Sequence, residues 1–346
     1  MLRGVTAWIV FPSQVRIDVF RMIADLLSSG MSVEKALEIA ADTAASQGER
    51  VRARVLRKWR SALVSGRFVD TAARWVPPSE AMIFGAYGRV EASVLFAGAA
   101  QVAEMRSKQR GAVWKALAMP VMLMVGLVVL LWGAGGHFIP VLEGVSDPAT
   151  WGMGAQLFRV VSVWLYQNFL VFLAVCGALG GVLYVLVVYW TGPGRRVADG
   201  VAPFSLYRTL TGSAFLFVVL QLVKAGIDVN DRTFAAMKRG ASPYGRHRIG
   251  AIQRKMASGA GLGASMCLTG HKFPDPGLIE IVRALDGTAG WEEKLGDYVE
   301  RWVGRSEQVM RSKAALMNGT LLVIVTFVMA GGIDAMFGIL QKAGQY

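Results

Sequence analysis

"LLSSGMSVEKALE" occupies residues 26–38, and "LVKAGIDVNDRTF" occupies residues 222–234, 196 positions later. At that fixed offset Leu26 meets Leu222, Leu27 meets Val223, Gly30 meets Gly226, Met31 meets Ile227 and Val33 meets Val229. Each copy reads as an apolar helix end, a glycine, a polar residue and a new helix. Gly30 and Gly226 stand where a helix C-terminus takes up a left-handed residue, which glycine adopts without steric cost. Ser32 and Asp228 are the expected N-caps of the helices that follow. One helical hairpin used twice implies a duplicated unit.

The correspondence continues. "RSALVSGRF" at 60–68 answers "KMASGAGLG" at 255–263, and "WVPPSEAMI" at 75–83 answers "KFPDPGLIE" at 272–280. Lys115 and Lys313 each precede a long apolar run. "VFRMIADLL" sets Val19, Met22, Ile23, Leu26 and Leu27 on one helical face. "FLFVVLQLV" at 215–223 is the more apolar throughout, so its helix is either buried or set against a bilayer. Neither segment alternates as a strand does, and no sheet is expected. About 100 residues in each suffice for a bundle of roughly six short helices with a core.

Three segments carry no charge: Ala116 to Leu142, Val160 to Gly194, and Ala314 to Ile333. Each reaches the roughly 20 residues a helix needs to cross hydrocarbon. Trp164 and Tyr166 at one end of the second, with Tyr189 and Trp190 at the other, are placed as interfacial belts would be. Apolar residues make up 54% of the chain, and mean hydropathy is +0.43, too high for an ordinary soluble protein. The net charge is +13.

Charge placement sets the expected orientation. Residues 1–115 hold 17 Lys+Arg and residues 191–315 hold 18, whereas 133–158 hold none. By the positive-inside rule both basic segments are cytoplasmic. The expected layout is an N-terminal segment 1–14, a first cytoplasmic helical domain 15–112 and a span 113–142. A periplasmic loop 143–159 and a second span 160–192 follow. A second cytoplasmic domain 193–312, a third span 313–334 and a periplasmic tail 335–346 complete it. The apolar patch from Val5 to Phe11 is too short for a signal-peptide core and lacks a small-residue cleavage site. The fold class is therefore an all-α, multi-pass membrane protein with two repeated cytoplasmic helical bundles and three transmembrane helices, its N-terminus cytoplasmic and its C-terminus periplasmic.

Catalytic signatures are missing. "SGAGLGASMCLTGHK" at 258–272 has neither phosphate-loop spacing, because His271 follows Gly270, nor a dinucleotide-binding glycine register. It reads as a glycine-rich turn between helices. His137, His247 and His271 have no second ligand at metal spacing, and Cys176 and Cys267 have no expected disulfide. No metal site, cofactor or catalytic residue is expected. The expected spans lack Asp, Glu, Lys, Arg and His in their interiors, which argues against a proton or ion path. Gly177, Gly180 and Gly181 would permit close helix approach in the second span.

The sharpest charged feature is "ERVRARVLRKWRSAL" at 49–63. Val51, Val55, Leu56, Trp59 and Leu63 form its stripe, and Arg50, Arg52, Arg54, Arg57, Lys58 and Arg60 cover the rest. Such a surface suits anionic lipid headgroups or an acidic cytoplasmic partner. A merely solvated face is the bland reading, and no nucleic-acid module accompanies the charge.

On these residues the chain resembles the inner-membrane platform proteins of type II secretion and type IV pilus assembly, over about residues 15–340. Phe215, Leu222, Ala225 and Gly226 match that family's repeat opening in the second copy. Arg21, Leu26, Leu27, Ser29 and Gly30 match it in the first, where Val19 replaces the phenylalanine. Pro77 and Pro274 match the mid-domain proline, and Pro140 one near the outer end of the first span. The family's glycine-acid element is reduced to "VEASVLF" at 90–96, keeping Glu91 and Ser93, and "LDGTAGW" at 285–291, keeping Asp286 and Thr288. Length and short N-terminus look most like the type IVb pilus branch.

The resemblance implies a non-enzymatic, homo-oligomeric adaptor in the bacterial inner membrane. It would couple a cytoplasmic hexameric ATPase to pilin or pseudopilin subunits, alongside other inner-membrane assembly proteins. Within it, Arg57, Lys58 and Arg60 are the expected motor contact. A subunit of an oligomeric permease is the competing expectation, and a membrane-bound enzyme a weaker one.

Overall fold

The computed structural model describes residues 11–227, 230–286, 288, 290, 294–298, 301–302, 315, 318–333 and 337. It is about 80% helical and has no strand among these residues, only an isolated bridge between Tyr87 and Val90. The chain divides into two compact units. One comprises Met1–Arg110 with Val185–Arg305, the other Gly111–Tyr184 with Ser306–Tyr346.

The first unit opens with α1 (Ser13–Ser28), α2 (Val33–Ser46) and α3 (Arg50–Val64), then the short α4 (Phe68–Ala72) and α5 (Pro78–Phe84). On α1, Val19, Ile23 and Leu27 are buried, with Met22 and Leu26 packed against them. Arg16, Ile17, Phe20 and Ala24 are buried too, so the covered face is wider than the apolar stripe. Gly30 ends the helix at φ 85°, with its N–H on Leu27 O at 2.9 Å and the Met31 N–H on Leu26 O at 3.2 Å. Ser32 then caps α2 by accepting the Lys35 N–H at 3.3 Å. On α3, Val55, Leu56 and Trp59 are buried and Leu63 packs against the core, but Val51 on the first turn is 49% exposed.

The other part of this unit holds α10 (Arg195–Ala198), α11 (Phe204–Lys224), α12 (Asp231–Gly240), α13 (Pro243–Met256), α14 (Leu262–Leu268) and α15 (Pro276–Leu285). Gly226 has φ 73°, with its N–H on Val223 O at 2.8 Å and the Ile227 N–H on Leu222 O at 2.9 Å. Both glycine turns thus close the same two carbonyls of the last helical turn, the bonding that a left-handed residue makes possible. The helix after the second turn starts later than expected. Asn230 is its cap, accepting the Thr233 N–H at 3.1 Å, and Asp228 lies outside the described residues.

A continuous buried cluster runs through both parts of the unit. Trp59 sits among Phe11, Phe20, Phe68 and Phe84 with ring centroids 6.0–6.4 Å away. Phe215, Phe234, Tyr244 and Phe273 form the second aromatic group. Between them α5 crosses α12 backbone to backbone. A methyl on Gly85 would fall 2.4 Å from Ala236 O, and one on Gly240 would fall 2.3 Å from the Ala81 carbonyl carbon. α11 lies in this core, and 56% of its most apolar window is buried within the chain.

The second unit takes most of α6 (Ala92–Gly133), which continues through a π-helical segment (Ala134–Phe138) into α7 (Ile139–Val145). α8 (Met153–Gln167) packs Ala155, Phe158 and Leu165 against Leu131, Ile139 and Leu142, and the Ser162 carbonyl meets the Gly135 backbone. α9 (Phe169–Tyr189) follows with no buried residue. The segment expected as one span over 160–192 is therefore two helices. The break is at Asn168, which leaves helical geometry at φ −114° and ψ 28° and places both its backbone N–H, at 2.9 Å, and its side-chain N–H, at 3.0 Å, on Trp164 O.

Three helical stretches are long and apolar enough to cross a membrane: Ala92–Val145, Phe169–Tyr189 and Phe204–Lys224. The third of these is the core helix α11, not the expected span 313–334. In that expected span the described helix is Asn318–Ile333, apolar but shorter. Lys313, Asp334, residues 1–10 of the N-terminal segment and nearly all of the tail 335–346 lie outside the described residues.

Candidate functional site

The basic helix α3 lies against α2, whose alanines Ala36, Ala40, Ala41 and Ala44 are buried and keep the pair close. Glu34, Glu38 and Asp42 recur every fourth residue along α2. Arg60 reaches Glu34 and Glu38, both at 3.3 Å, and Arg57 reaches Asp42 at 3.2 Å. Arg52 turns back onto Glu49, the residue just before its own helix. The six expected contact residues therefore separate into two sets. Arg52, Arg57 and Arg60 are occupied by acids, whereas Arg50, Arg54 and Lys58 are exposed and form no ion pair among the described residues. Residues 50, 54 and 58 are spaced i, i+4, i+8, so they form one cationic ridge. The trio of Arg57, Lys58 and Arg60 is not a single surface: only Lys58 of the three belongs to this ridge.

The expected structural residues are dispersed. Pro77 precedes α5 in extended conformation, and Pro274 follows a cis peptide bond and lies on the Gly212 backbone of α11. Glu91 accepts the Ser93 hydroxyl at 2.6 Å at the start of α6. Asp286 accepts the Gly263 N–H at 3.1 Å and so supplies the first turn of α14 with an acceptor that its own cap residue, Gly261, lacks. None of these residues joins the cationic ridge.

Two buried ionic joints were not legible in the sequence. Arg16 grips Glu80 with two bonds, Nε to Oε2 at 2.7 Å and Nη2 to Oε1 at 3.0 Å, tying α1 to α5. The second joint lies just after α9. Arg195 donates to Asp199 Oδ1 at 2.8 Å and to the carbonyls of Leu186 and Val187 at 2.8 and 3.0 Å. It thus holds the last turn of α9, where unpaired carbonyls carry partial negative charge. Its guanidinium lies 4.5 Å from the Tyr244 ring centre and 4.7 Å from that of Phe204. The other oxygen of Asp199 receives the Tyr244 hydroxyl at 2.9 Å and Arg248 Nη2 at 2.8 Å. Burial and the adjacent Asp199 charge push the Tyr244 phenol up, keeping it a donor.

The histidines separate likewise. His247 and His271 are neighbours, ring centres 5.7 Å apart, and His137 is in the π-helical segment far along the chain. Among the described residues no three His, Cys, Asp or Glu side chains converge as metal ligands, and both cysteines are exposed thiols. No protein-family model matches the chain, and no curated protein matches it either.

Proposed function

We propose that this chain is an inner-membrane platform that couples a cytoplasmic assembly ATPase to the polymerisation of pilin or pseudopilin subunits. In this reading the helix–glycine–helix turns at Gly30 and Gly226 belong to two copies of one cytoplasmic unit, and both face the same side of the membrane. The observation that carries it is the division of charge on α3: Arg50, Arg54 and Lys58 are aligned and form no ion pair among the described residues, while their neighbours are paired internally. An aligned cationic ridge on a packed helical domain is a surface for an acidic partner, and steers that partner's approach.

Long apolar helices and a rigid helical unit with a shared core support mechanical work rather than solute passage. The expected spans carry no Asp, Glu, Lys, Arg or His in their interiors for a substrate path. The test is photo-crosslinking in the source cell, with a crosslinker at Arg54 and the full chain in its membrane. Crosslinks to a hexameric assembly ATPase support the reading. Normal fibre output from a chain with Arg50, Arg54 and Lys58 all reversed to glutamate would overturn the assigned contact.

A further inference from the structure

The cluster beyond the α9 joint carries more positive charge than the described acids around it balance. Arg195, Arg248 and Tyr244 share Asp199. Around them stand Arg196 and Arg254, both exposed, and the His247–His271 pair. Arg196, Arg248 and Arg254 act on His247, and Arg196 and Arg248 on His271, with Asp199 the one acid among the described residues acting on either.

Polar atoms here also lack acceptors. Arg248 is 2% exposed and spends Nη2 on Asp199, yet its Nε has no partner. Arg195 Nη2 and His271 Nδ1 are likewise buried and unbonded. The two guanidinium nitrogens are obligate donors and are costly unless something accepts from them, and the imidazole Nδ1 joins them as a donor when it carries a proton. A metal cation between the imidazoles would be repelled by the three arginines. An oxyanion supplies both the missing charge and the missing acceptors, and arginine with histidine is the donor set that phosphate takes.

We propose that Arg196, His247, Arg248 and His271 form a binding site for a phosphate-bearing anion at the end of α9. The ligand is either the headgroup of an anionic phospholipid or a soluble phosphate. The histidines are held uncharged in the free protein: burial, then Arg248 and Arg196, bring His271 down to about 4, and burial with the same arginines and Arg254 lowers His247. A bound anion relieves that repulsion, so occupancy and histidine protonation favour one another.

The experiment uses the full chain in phosphatidylcholine nanodiscs. Melting temperature and histidine NMR titration are followed with inorganic phosphate against sodium chloride of equal ionic strength, and then with phosphatidylglycerol in the bilayer. A rise in melting temperature and in both histidine pKa values with phosphate identifies a soluble ligand. The same rise with phosphatidylglycerol alone identifies a headgroup, and with both probes a site open to either. His247→Gln with His271→Gln, and separately Arg196→Gln, leave the Asp199 joint intact and are expected to weaken binding about tenfold or more. No rise with either probe, or an undiminished rise in these variants, overturns the proposal.

Discussion

Arg195 and Asp199 face each other one helical turn apart, Nε to Oδ1 at 2.8 Å, and both side chains are closed to solvent. The pair is the hub of a joint, because Asp199 also receives Tyr244 and Arg248 while Arg195 also holds the end of α9. Removing the carboxylate would leave two guanidinium groups buried without their counter-charge. Asp199→Ala should therefore cost about 3–5 kcal/mol, the usual penalty for orphaning a buried ion partner. Tyr244→Phe removes one bond to the same carboxylate and should cost about 1.5–3 kcal/mol. Denaturant melts of the full chain in detergent, read by tryptophan fluorescence, check the order of the two losses. Equal losses would mean that Asp199 is not the hub.

At the α5–α12 crossing a methyl has no room. Gly240→Ala would place one 2.3 Å from the Ala81 carbonyl carbon, and Gly85→Ala one 2.4 Å from Ala236 O. Backbone cannot yield as a flexible side chain can, so each variant should lose at least about 1–3 kcal/mol. Gly111→Ala, with open space around the glycine, is the control and should leave the melt unchanged or raise it. Thermal melts of the three variants decide this.

What was legible in the sequence follows from what is local. The Gly30 and Gly226 turns were readable because a left-handed helix end leaves a glycine between two apolar patterns. The stripe of α1 was readable because periodicity near 3.6 survives in Val19, Ile23 and Leu27. Arg16 and Glu80 were not paired in advance, since 64 residues separate them and nothing local marks either as buried. The split of the α3 arginines did leave a signal: Glu34, Glu38 and Asp42 repeat at the helical spacing needed to meet them. So did the break in the second apolar segment, where Gln167 and Asn168 interrupt an otherwise apolar run. The core position of α11 could not be separated from a membrane position by composition, because both settings are apolar.

The two charge sets on α3 should respond differently to reversal. Arg57→Glu with Arg60→Glu breaks exposed or half-exposed pairs to Asp42, Glu34 and Glu38 and replaces them with like-charge contacts. Each pair is worth about 0.2–1 kcal/mol, so a small fall in melting temperature that shrinks in high salt is expected. Arg50→Glu, Arg54→Glu and Lys58→Glu together break no internal pair among the described residues. On the proposed platform role, that variant should melt as the parent does yet lose fibre output. A large fall in stability for the ridge variant, with output retained, would reverse the assignment of the two sets.

Acid should loosen the unit through His271. Its ordinary value is 6.5, and burial, followed by Arg248, Arg196 and His247, holds it near 4 in the folded chain, with Asp199 opposing. Between these values the unfolded chain binds a proton that the folded chain does not. Stability therefore rises with pH across that interval and falls as pH drops from 6.5 towards 4. His271→Gln keeps a polar side chain without the titration, so its melting temperature should fall less steeply over the same interval. The comparison is made in phosphate-free buffer, in neutral detergent, between pH 7 and the acid limit of solubility. Parallel slopes for the parent and His271→Gln would show that the acid response arises elsewhere. A shallower slope for the variant would place it in the basic cluster that holds the end of α9.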